Sequence, residues 1–336
     1  MREAMFIKKN ADKWTEYQQT QTNDPDETAE RFVTLVDDLS YAKTFYPHSK
    51  VTKWVNAIAA NIYQSIYKNK KEKYSRVFTF WKYELPLLFR KYHKVLLFAF
   101  LLNFFFTIIG VWASMNNEEF MRGVLSPGYV DKTMDNIANG DPFGIYKSDN
   151  PFSMFVMIAM NNIFVAFLMA MGGLTLGIWT LISDWQNSVM LGAFQYMFFA
   201  HNLGAKSVLV IWIHGTLEIL SFIVASTVGY IISRSILFPG TYNRLESFKK
   251  GVKDGMKIMI ALVPIFIVAA FFESYVTHLM SNTYSKTKNA GLPVWGSVII
   301  LLVSLAFILW YFIFLPIRLH KRGYQLQSDG ILKQPA

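Results

Sequence analysis

The sequence predicts an all-α fold: a polytopic transmembrane helical bundle with an amino-terminal cytoplasmic helical domain and an interfacial helix. The first observation is composition, because 53% of the 336 residues are hydrophobic and only 17% are charged, against about 25% in soluble domains. The second is that Lys and Arg lie outside a handful of apolar stretches, and each stretch has about the 20 residues that cross a bilayer. The third is how the basic residues are divided among the connecting segments.

The transmembrane domain, residues 95–315, is predicted to contain about six spans. They lie at about 95–113, 152–171, 173–200, 208–232, 256–275 and 294–315. Alternate connecting segments contain 27 and 6 of the 33 Lys and Arg residues, and the positive-inside rule places the richer set in the cytoplasm. Both termini are therefore predicted to be cytoplasmic and the 114–150 loop external. The net charge of +10 is explained by membrane orientation, so the lipid bilayer is the expected contact and nucleic acid is not.

Residues 1–72 are predicted to form the cytoplasmic helical domain. In NDPDETAERF, Asp24 is expected to cap a helix that begins at Pro25, with Glu27 closing a capping box. A second helix should follow the turn YPHS at 46–49, because apolar residues recur at helical spacing after it. A small helical bundle and a module that binds a partner both fit this pattern.

Three further segments complete the organisation. Residues 73–94 mix aromatic and basic side chains, as interfacial amphipathic helices do; Pro86 should kink this helix, and a buried cytoplasmic helix is the alternative. The 114–150 loop is acidic and rich in turn signals but lacks EF-hand spacing, so it is interpreted as a solvated loop. Residues 316–336 are the predicted cytoplasmic tail.

Several classes of function find no support in the sequence. The chain has no Cys, which excludes disulfides and thiolate metal sites. No cleavable signal is expected, because about 94 largely polar residues precede the first apolar stretch. Walker, nucleophile-elbow and dinucleotide-binding motifs are not found. A non-enzymatic protein without a cofactor is therefore favoured.

Three acids lie within predicted spans, with no Lys or Arg beside them: Asp184, Glu218 and Glu273. Charged groups inside a bilayer are costly and commonly mark a functional site. His214 precedes Glu218 by four residues, so the two share one helix face, at depths of about 9 and 15 Å from the outer side. Glu273 is expected near the outer end of the fifth span.

Amides from other spans should reach the same layer. The predicted intramembrane polar cluster comprises His214, Glu218, Asn161, Asn162, Asp184, Asn187 and Glu273. We expect it to line a cavity that opens towards the outer leaflet, and His201 and His278 are outer-side residues that could join it.

The third predicted span differs from the others in length and polarity. Its roughly 28 residues exceed the bilayer thickness, and SDWQNS at 183–188 interrupts the apolar run. A helix broken inside the membrane and a single tilted helix both fit. GGLTLG at 172–177 supplies small residues at the spacing typical of close helix packing.

Three interpretations of the pair formed by His214 and Glu218 remain open. The pair could be a structural clasp between helices, a site for transport or lipid headgroups, or a metal or hydrolytic site whose metal is unknown. The zincin pattern HExxH is not present, since the glutamate follows the histidine by four residues. A cation, a proton or a neutral polar group fits unneutralised carboxylates better than an anionic headgroup does.

One set of motifs resembles a known family. The set comprises DLSYAKTFYPHS at 38–49, MNNIFVAF at 160–167, NSVMLGAF at 187–194, HGTLEI at 214–219, FPG at 238–240 and VPIFIVAAFFESYVT at 263–277. Its HG-x-x-E element, followed by the Pro-Gly pair and the late glutamate, is the most specific part. The set resembles the stage II sporulation protein M family, in which the first stretch reads DLA-x-A-R-x-x-YP-x-S. Ser188 stands where the family has the Gly of an NG pair.

The resemblance implies a multi-pass protein of the bacterial cytoplasmic (inner) membrane. In spore formers the family member works with peptidoglycan-degrading partners during engulfment, and members also occur in bacteria that do not sporulate. No enzymatic activity follows from the resemblance. The expected function is therefore the organisation of cell-envelope or peptidoglycan-remodelling partners. A transporter or lipid-handling protein and a metal-dependent intramembrane hydrolase are the alternatives, and a homo-oligomer is left open.

Overall fold

A computed structural model of the chain describes residues 2–20, 22, 24–67, 75–147, 150–286, 291–326 and 332–333. The all-α prediction is confirmed for these residues, where strand structure is confined to the antiparallel pair β1 (Gln325–Leu326) and β2 (Leu332–Lys333). The chain divides into two compact units, Met1–Arg76 and Val77–Ala336. The predicted domain boundary at residues 72 and 73, and most of the tail beyond residue 326, lie outside the described residues.

The first unit is a bundle of three helices. They are α1 (Glu3–Gln19), α2 (Pro25–Phe45) and α3 (Lys50–Tyr67). The predicted start of α2 is confirmed: the Asp24 carboxylate accepts from the backbone N–H of Asp26 at 3.0 Å, and Pro25 occupies the first turn. Glu27 is connected to this cap through Thr22, whose hydroxyl donates to Glu27 and accepts from the backbone N–H of Asp24.

The core of this unit is centred on an aromatic side chain. Trp14 is fully buried, lies 5.3 Å from the ring of Phe6 and donates its indole N–H to the Asp38 carboxylate at 2.8 Å. Leu35 and Val55 are fully buried in the same cluster. The amino-terminal helical domain predicted from the sequence is thus a separate bundle with its own core.

The remaining helices follow without an intervening sheet. They are α4 (75–91), α5 (His93–Asn116), α6 (Glu118–Leu125), α7 (Pro127–Ala138), α8 (Pro151–Thr175), α9 (Ile178–Ala200), α10 (Gly204–Leu237), α11 (Arg244–Thr283) and α12 (Val294–Lys321). Five of them, α5, α8, α10, α11 and α12, are long and apolar enough to cross a membrane. The chain is therefore a multi-pass membrane protein, and these helices contact the lipid bilayer.

The third predicted span corresponds to α9, which is not among these five helices. The helix is continuous through 183–188, so the break considered there is not found. The break falls earlier, where Leu176 and Gly177 adopt left-handed backbone conformations with φ of 56° and 87°. The helix consequently starts at Ile178 rather than at residue 173.

α9 lies antiparallel to α10 over a distance comparable to a bilayer core. Near one end, the hydroxyl of Thr180 faces Gly229; near the other, Gln195 donates to the Ser207 hydroxyl at 2.7 Å. Between these contacts α9 runs for about 22 Å and α10 for about 33 Å at 1.5 Å per residue, against a hydrocarbon thickness of about 30 Å. That α9 is a sixth crossing stays a prediction, and this geometry supports it.

Glycines allow α9 to pack closely on α5. A Cβ on Gly192 would lie 2.2 Å from the backbone oxygen of Thr107, and one on Gly110 would lie 2.4 Å from that of Val189. Ser188, also fully buried in this interface, accepts a 2.6 Å hydrogen bond from Asn103. A serine at this position is thus accommodated by a polar partner.

α4 combines an exposed first half with a buried second half. A π-helical segment at Phe80–Glu84 precedes Pro86, and this widening accommodates a residue that lacks a backbone N–H. Val77 and Phe78 are exposed, whereas Leu85 and Leu88 are buried in the core formed with α10 and α11. The second half of α4 therefore follows the buried alternative, and an interfacial position for its first half stays a prediction.

The 114–150 segment is folded, which corrects the interpretation as a solvated loop. It forms α6, α7 and a short 3-10 turn at Gly144–Tyr146. Val130 and Phe143 are fully buried against residues of α9 and α10. Met121, Val124 and Leu125, and then Val130 and Met134, recur at helical spacing, but the turn motifs and acidic residues between them favoured a loop.

Candidate functional site

A cavity of about 330 Å³ lies between α9 and α10. Twelve of its 17 lining residues come from these two helices. The others are Asn103 of α5, Leu125 of α6, Tyr129 of α7, Tyr146 of the 3-10 turn and Glu273 of α11. The segment predicted to lie outside the membrane thus covers one end of the cavity.

His214 is held in one orientation by α11. Its Nδ1 lies 2.9 Å from the hydroxyl oxygen of Thr277, and that hydroxyl donates to the backbone oxygen of Phe272 at 3.1 Å. Since the hydroxyl proton is used, Nδ1 is the donor to the Thr277 oxygen. This assigns the proton of the neutral ring to Nδ1 and leaves the lone pair on Nε2 facing Glu273.

Two glutamates stand beside that lone pair. Nε2 of His214 is 4.0 Å from Oε1 of Glu273, and ligand atoms of His214, Glu218 and Glu273 all lie within 4.8 Å of one another. Glu218 is fixed from α8, because Nδ2 of Asn162 donates to its Oε1 at 2.7 Å. Three helices therefore position a compact group of one imidazole and two carboxylates.

Glu273 does not lie at the end of its helix, where the fifth span was expected to reach the outer surface. α11 continues to Thr283 through a π-helical segment, Phe272–Thr277, so Glu273 lies about 15 Å from the end of the helix. His214 is likewise ten residues from the start of α10, which runs antiparallel. The two side chains meet because both are about 15 Å from the same end of the bundle.

Two tyrosines of the 114–150 segment close the site. The ring of Tyr146 lies 5.7 Å from that of His214. Burial raises the pKa of Tyr146 well above its ordinary value, and the nearby Tyr129, Glu273 and Glu218 act in the same direction. Burial also raises the pKa of Tyr129. Both phenols therefore stay protonated, and they present neutral hydroxyl groups rather than added negative charge to the site.

The site has an excess of negative charge. None of the described lining residues is Lys or Arg, so basic side chains do not offset Glu218 and Glu273. Two carboxylates this close in a low-dielectric environment require a proton or a bound cation between them. The arrangement can therefore hold a proton, a metal ion or a cationic or neutral polar group.

Asp184 belongs to a separate polar cluster. Its Oδ2 accepts from the hydroxyl of Tyr230 at 3.2 Å, and Asn103, Ser188 and Ser226 surround the carboxylate. Its Oδ1 is a buried oxygen without a hydrogen-bond partner among the described residues. Asn103, which also lines the cavity, is where the two clusters adjoin.

The remaining residues of the predicted cluster are placed differently. Asn187 lines the cavity while donating to the backbone oxygen of Ser183 at 2.8 Å. Asn161 is exposed and reaches the group only through Asn162, at 3.5 Å. His201 is exposed and its imidazole bonds to the backbone oxygen of Met197. Neither His201 nor His278 belongs to the imidazole–carboxylate group.

Sequence reasoning missed several residues of the site. Thr277 orients the imidazole of His214, but the sequence alone does not indicate this role. Tyr129 and Tyr146 were assigned to the loop, and Gln195, which accepts from the indole of Trp212 at 3.0 Å, was not singled out. Gln195 carried a detectable signal, because it is an amide within an otherwise apolar helical end.

These features define a class: a multi-pass helical membrane protein with a polar cavity inside its transmembrane bundle. A model of the family described as stage II sporulation protein M matches residues 97–278, more than half of the chain. The chain belongs to this family. A second model, for a domain of unknown function (DUF8413), matches residues 4–68, so the 38–49 stretch lies in a separate domain rather than within the family match.

Two further comparisons bear on the chain. It is 26% identical over 125 residues to Uncharacterized protein MJ0793 of Methanocaldococcus jannaschii, a match that covers 37% of this chain and 70% of the relative. No solved structure matches the chain. This relative is archaeal, whereas the resemblance noted in the sequence implied a bacterial membrane protein, and its name assigns no activity.

Proposed function

We propose that the chain is a lipid-handling membrane protein that binds the neutral or cationic headgroup of an amphiphile in the cavity between α9 and α10. The observation that supports this most is the division of the cavity wall by polarity. His214 is only 4% exposed, whereas Met190 on the opposite side is 46% exposed. Phe194, Ile219 and Phe222 are partly exposed as well. Glu218 and Glu273 are half-buried, and the most accessible edge of the cavity, at Met190, is apolar.

This division suits a molecule with one polar and one apolar end. Ligand sites commonly have an apolar lining with a few convergent polar groups, and a partly exposed apolar edge at membrane depth would let acyl chains remain in lipid. An anionic headgroup would meet Glu218 and Glu273 without a basic residue from the described lining. A headgroup with an ammonium or hydroxyl group would complement them.

Photo-crosslinking tests this proposal directly. A benzophenone amino acid at Met190 is compared with one at Leu302 of α12, which is 60% exposed and does not line the cavity. The vesicles contain equal amounts of phosphatidylethanolamine and phosphatidylglycerol. The ratio of phosphatidylethanolamine to phosphatidylglycerol captured at position 190 should exceed the ratio captured at position 302. Equal lipid ratios at both positions, or a preference for phosphatidylglycerol at 190, would refute the proposal.

Topology is part of the proposal. If α9 crosses the membrane, six crossings place both termini on one side, and the basic residues assign that side to the cytoplasm. The cavity then lies in the outer half of the membrane, under α6 and α7. We propose the cytoplasmic membrane of a prokaryote, in agreement with an archaeal relative.

A second candidate function is the organisation of cell-envelope partners. The supporting observation is the amino-terminal unit, which has its own core, its own domain match and exposed apolar residues at Val33 and Val36. These two side chains, one helical turn apart on α2, form a surface that a partner could cover. Crosslinking in cells from position 33 should recover envelope proteins; capture of the chain alone would indicate self-association instead.

A further inference from the structure

We propose that His214, Glu218 and Glu273 together bind one divalent transition-metal ion of the Zn²⁺ class. The ligands would be Nε2 of the imidazole and one carboxylate oxygen from each glutamate. The ion would occupy the carboxylates that the proposed headgroup faces, but its binding depends on the geometry of three side chains and not on the apolar edge of the cavity. Either proposal can hold without the other.

The separations of the ligand atoms fit a metal after small side-chain movements. Zinc binds nitrogen and carboxylate oxygen at about 2.0–2.2 Å in tetrahedral geometry, which places neighbouring ligand atoms about 3.3–3.6 Å apart. The three ligand atoms here are within 4.8 Å of one another, and the His214–Glu273 pair is at 4.0 Å. At 4.0 Å that pair is too far apart for a direct hydrogen bond and wide enough for an ion to lie between.

The histidine is already in the state that a metal requires. Its Nδ1 proton is directed to Thr277, and its buried ring presents the Nε2 lone pair to the two carboxylates. Metal-binding histidines characteristically donate the other ring N–H to an oxygen, which fixes the tautomer. A histidine that served only as a clasp would be expected to use both nitrogens in hydrogen bonds to protein.

Glu218 has a comparable support. Asn162 donates to its Oε1 at 2.7 Å, and the same side chain interacts with Glu273. Carboxylate ligands in metal sites are themselves held by such bonds. Two of the three proposed ligands therefore have an orienting partner on another helix.

The donor set selects among ions. Imidazole together with carboxylates suits Zn²⁺ and neighbouring divalent transition metals, whereas Ca²⁺ and Mg²⁺ prefer oxygen ligands alone. A divalent ion would also neutralise the two carboxylates. Three protein ligands leave a fourth position open, and the space beside Gly215, where a Cβ would meet nothing within 4 Å, lies in the cavity wall.

Metal binding can be measured on the purified full-length chain in detergent. After removal of metals with a chelator, Co²⁺ is titrated and its visible absorption is followed, and bound Zn²⁺ is counted after equilibrium dialysis. One ion per chain is expected. Glu273→Gln and His214→Gln should weaken binding by tenfold or more, and Thr277→Val by about tenfold, the range typical of orienting partners.

Asp184→Asn is the matched control, because it removes a buried acid on α9 that does not belong to the group. Its affinity should stay within about threefold of the wild type. Elution as a single species and an unchanged melting temperature establish that each variant is folded; Thr277→Val retains all ligands and provides the test if a ligand variant unfolds.

Two results would overturn the metal site. One is a folded wild-type chain that takes up no Co²⁺ or Zn²⁺, and the other is uptake that Glu273→Gln and His214→Gln leave unchanged. Lipid capture at Met190 is repeated in the presence of chelator. If the chain captures the lipid selectively but takes up no metal, the metal site alone is refuted. If the chain takes up metal but shows no selective lipid capture, only the lipid proposal is refuted.

Discussion

Glu218→Gln separates a structural role of the buried glutamate from a functional one. The substitution keeps a carbonyl oxygen at the position that accepts from Asn162 at 2.7 Å and removes one negative charge. If the glutamate served only to connect α8 and α10, the variant should behave like the wild type. If it serves to bind a headgroup or a cation, function should fall while the fold remains.

The stability effect can be worked from the geometry. The change from a charged to a neutral acceptor weakens the bond to Asn162 by about 1 kcal/mol. In the other direction, two carboxylates within 4.8 Å would repel by about 3 kcal/mol at an effective dielectric constant of ~20 if both were ionised, which is the upper limit of the repulsion that the substitution can relieve. Removal of that repulsion should leave Glu218→Gln as stable as the wild type, or more stable by up to about 2 kcal/mol.

Glu218→Ala is the contrasting variant. It removes the acceptor and leaves the Asn162 amide without this partner, at a cost of about 1–3 kcal/mol. The melting temperature in detergent should therefore decrease for Glu218→Ala and hold or increase for Glu218→Gln. Phosphatidylethanolamine capture at Met190 should decrease at least tenfold in both.

Two results would contradict a role for the Glu218 charge in headgroup binding. If Glu218→Gln melts well below the wild type and yet captures the lipid normally, the charge of the glutamate stabilises the fold and does not bind the headgroup. A variant that melts normally and also captures normally would show that the charge has no part in binding, and the amphiphile proposal would then lose its electrostatic basis.

Three further predictions test the fold. Gly192→Val should destabilise the membrane unit by about 1–3 kcal/mol, because its Cβ would lie 2.2 Å from the Thr107 oxygen, while Gly123→Val, with nothing within 4 Å, should leave the melting temperature unchanged. A cysteine at Asn139, in a chain that has no native Cys, should react with an impermeant thiol reagent from outside intact cells only; reaction only from the cytoplasmic side would overturn the topology. Trp14→Ala should cost the amino-terminal unit about 3–5 kcal/mol, seen as rapid proteolysis of that unit, with no change in the melting of the membrane unit; slow proteolysis would contradict the assigned core.

The apolar spans could be predicted from sequence because their signal is local. A stretch of about 20 uncharged residues identifies a bilayer-crossing helix regardless of what it packs against. The start of α9 could not be predicted in this way. Its boundary depends on the left-handed conformations at Leu176 and Gly177, and the first of these is a residue type that rarely adopts such a backbone.

The polar residues of the site could be found one by one, but their grouping could not. An acid in a span is detectable because bilayer insertion disfavours it, and this identified Asp184, Glu218 and Glu273. Which acids meet depends on how each helix is rotated about its axis and on how far neighbouring helices are shifted along theirs. The spacing of residues in the sequence gives neither quantity. The end of the fifth span could not be predicted either, because the polar residues after Glu273 concealed the continuation of α11 to Thr283.

The three buried acids differ in how the protein satisfies them, and this difference bears on their roles. Asp184 is enclosed by hydroxyl and amide side chains at the level where α5, α9 and α10 pack, a setting that suits a structural role. Glu218 and Glu273 instead face each other across a cavity, beside a histidine whose one free nitrogen points towards them. A purely structural design would have paired both carboxylates with donors, whereas the amide donor Asn162 reaches Glu218 alone, and unneutralised charge in a bilayer is destabilising. Their retention together is best explained by a proton, a cation or a headgroup that completes the site from outside the chain.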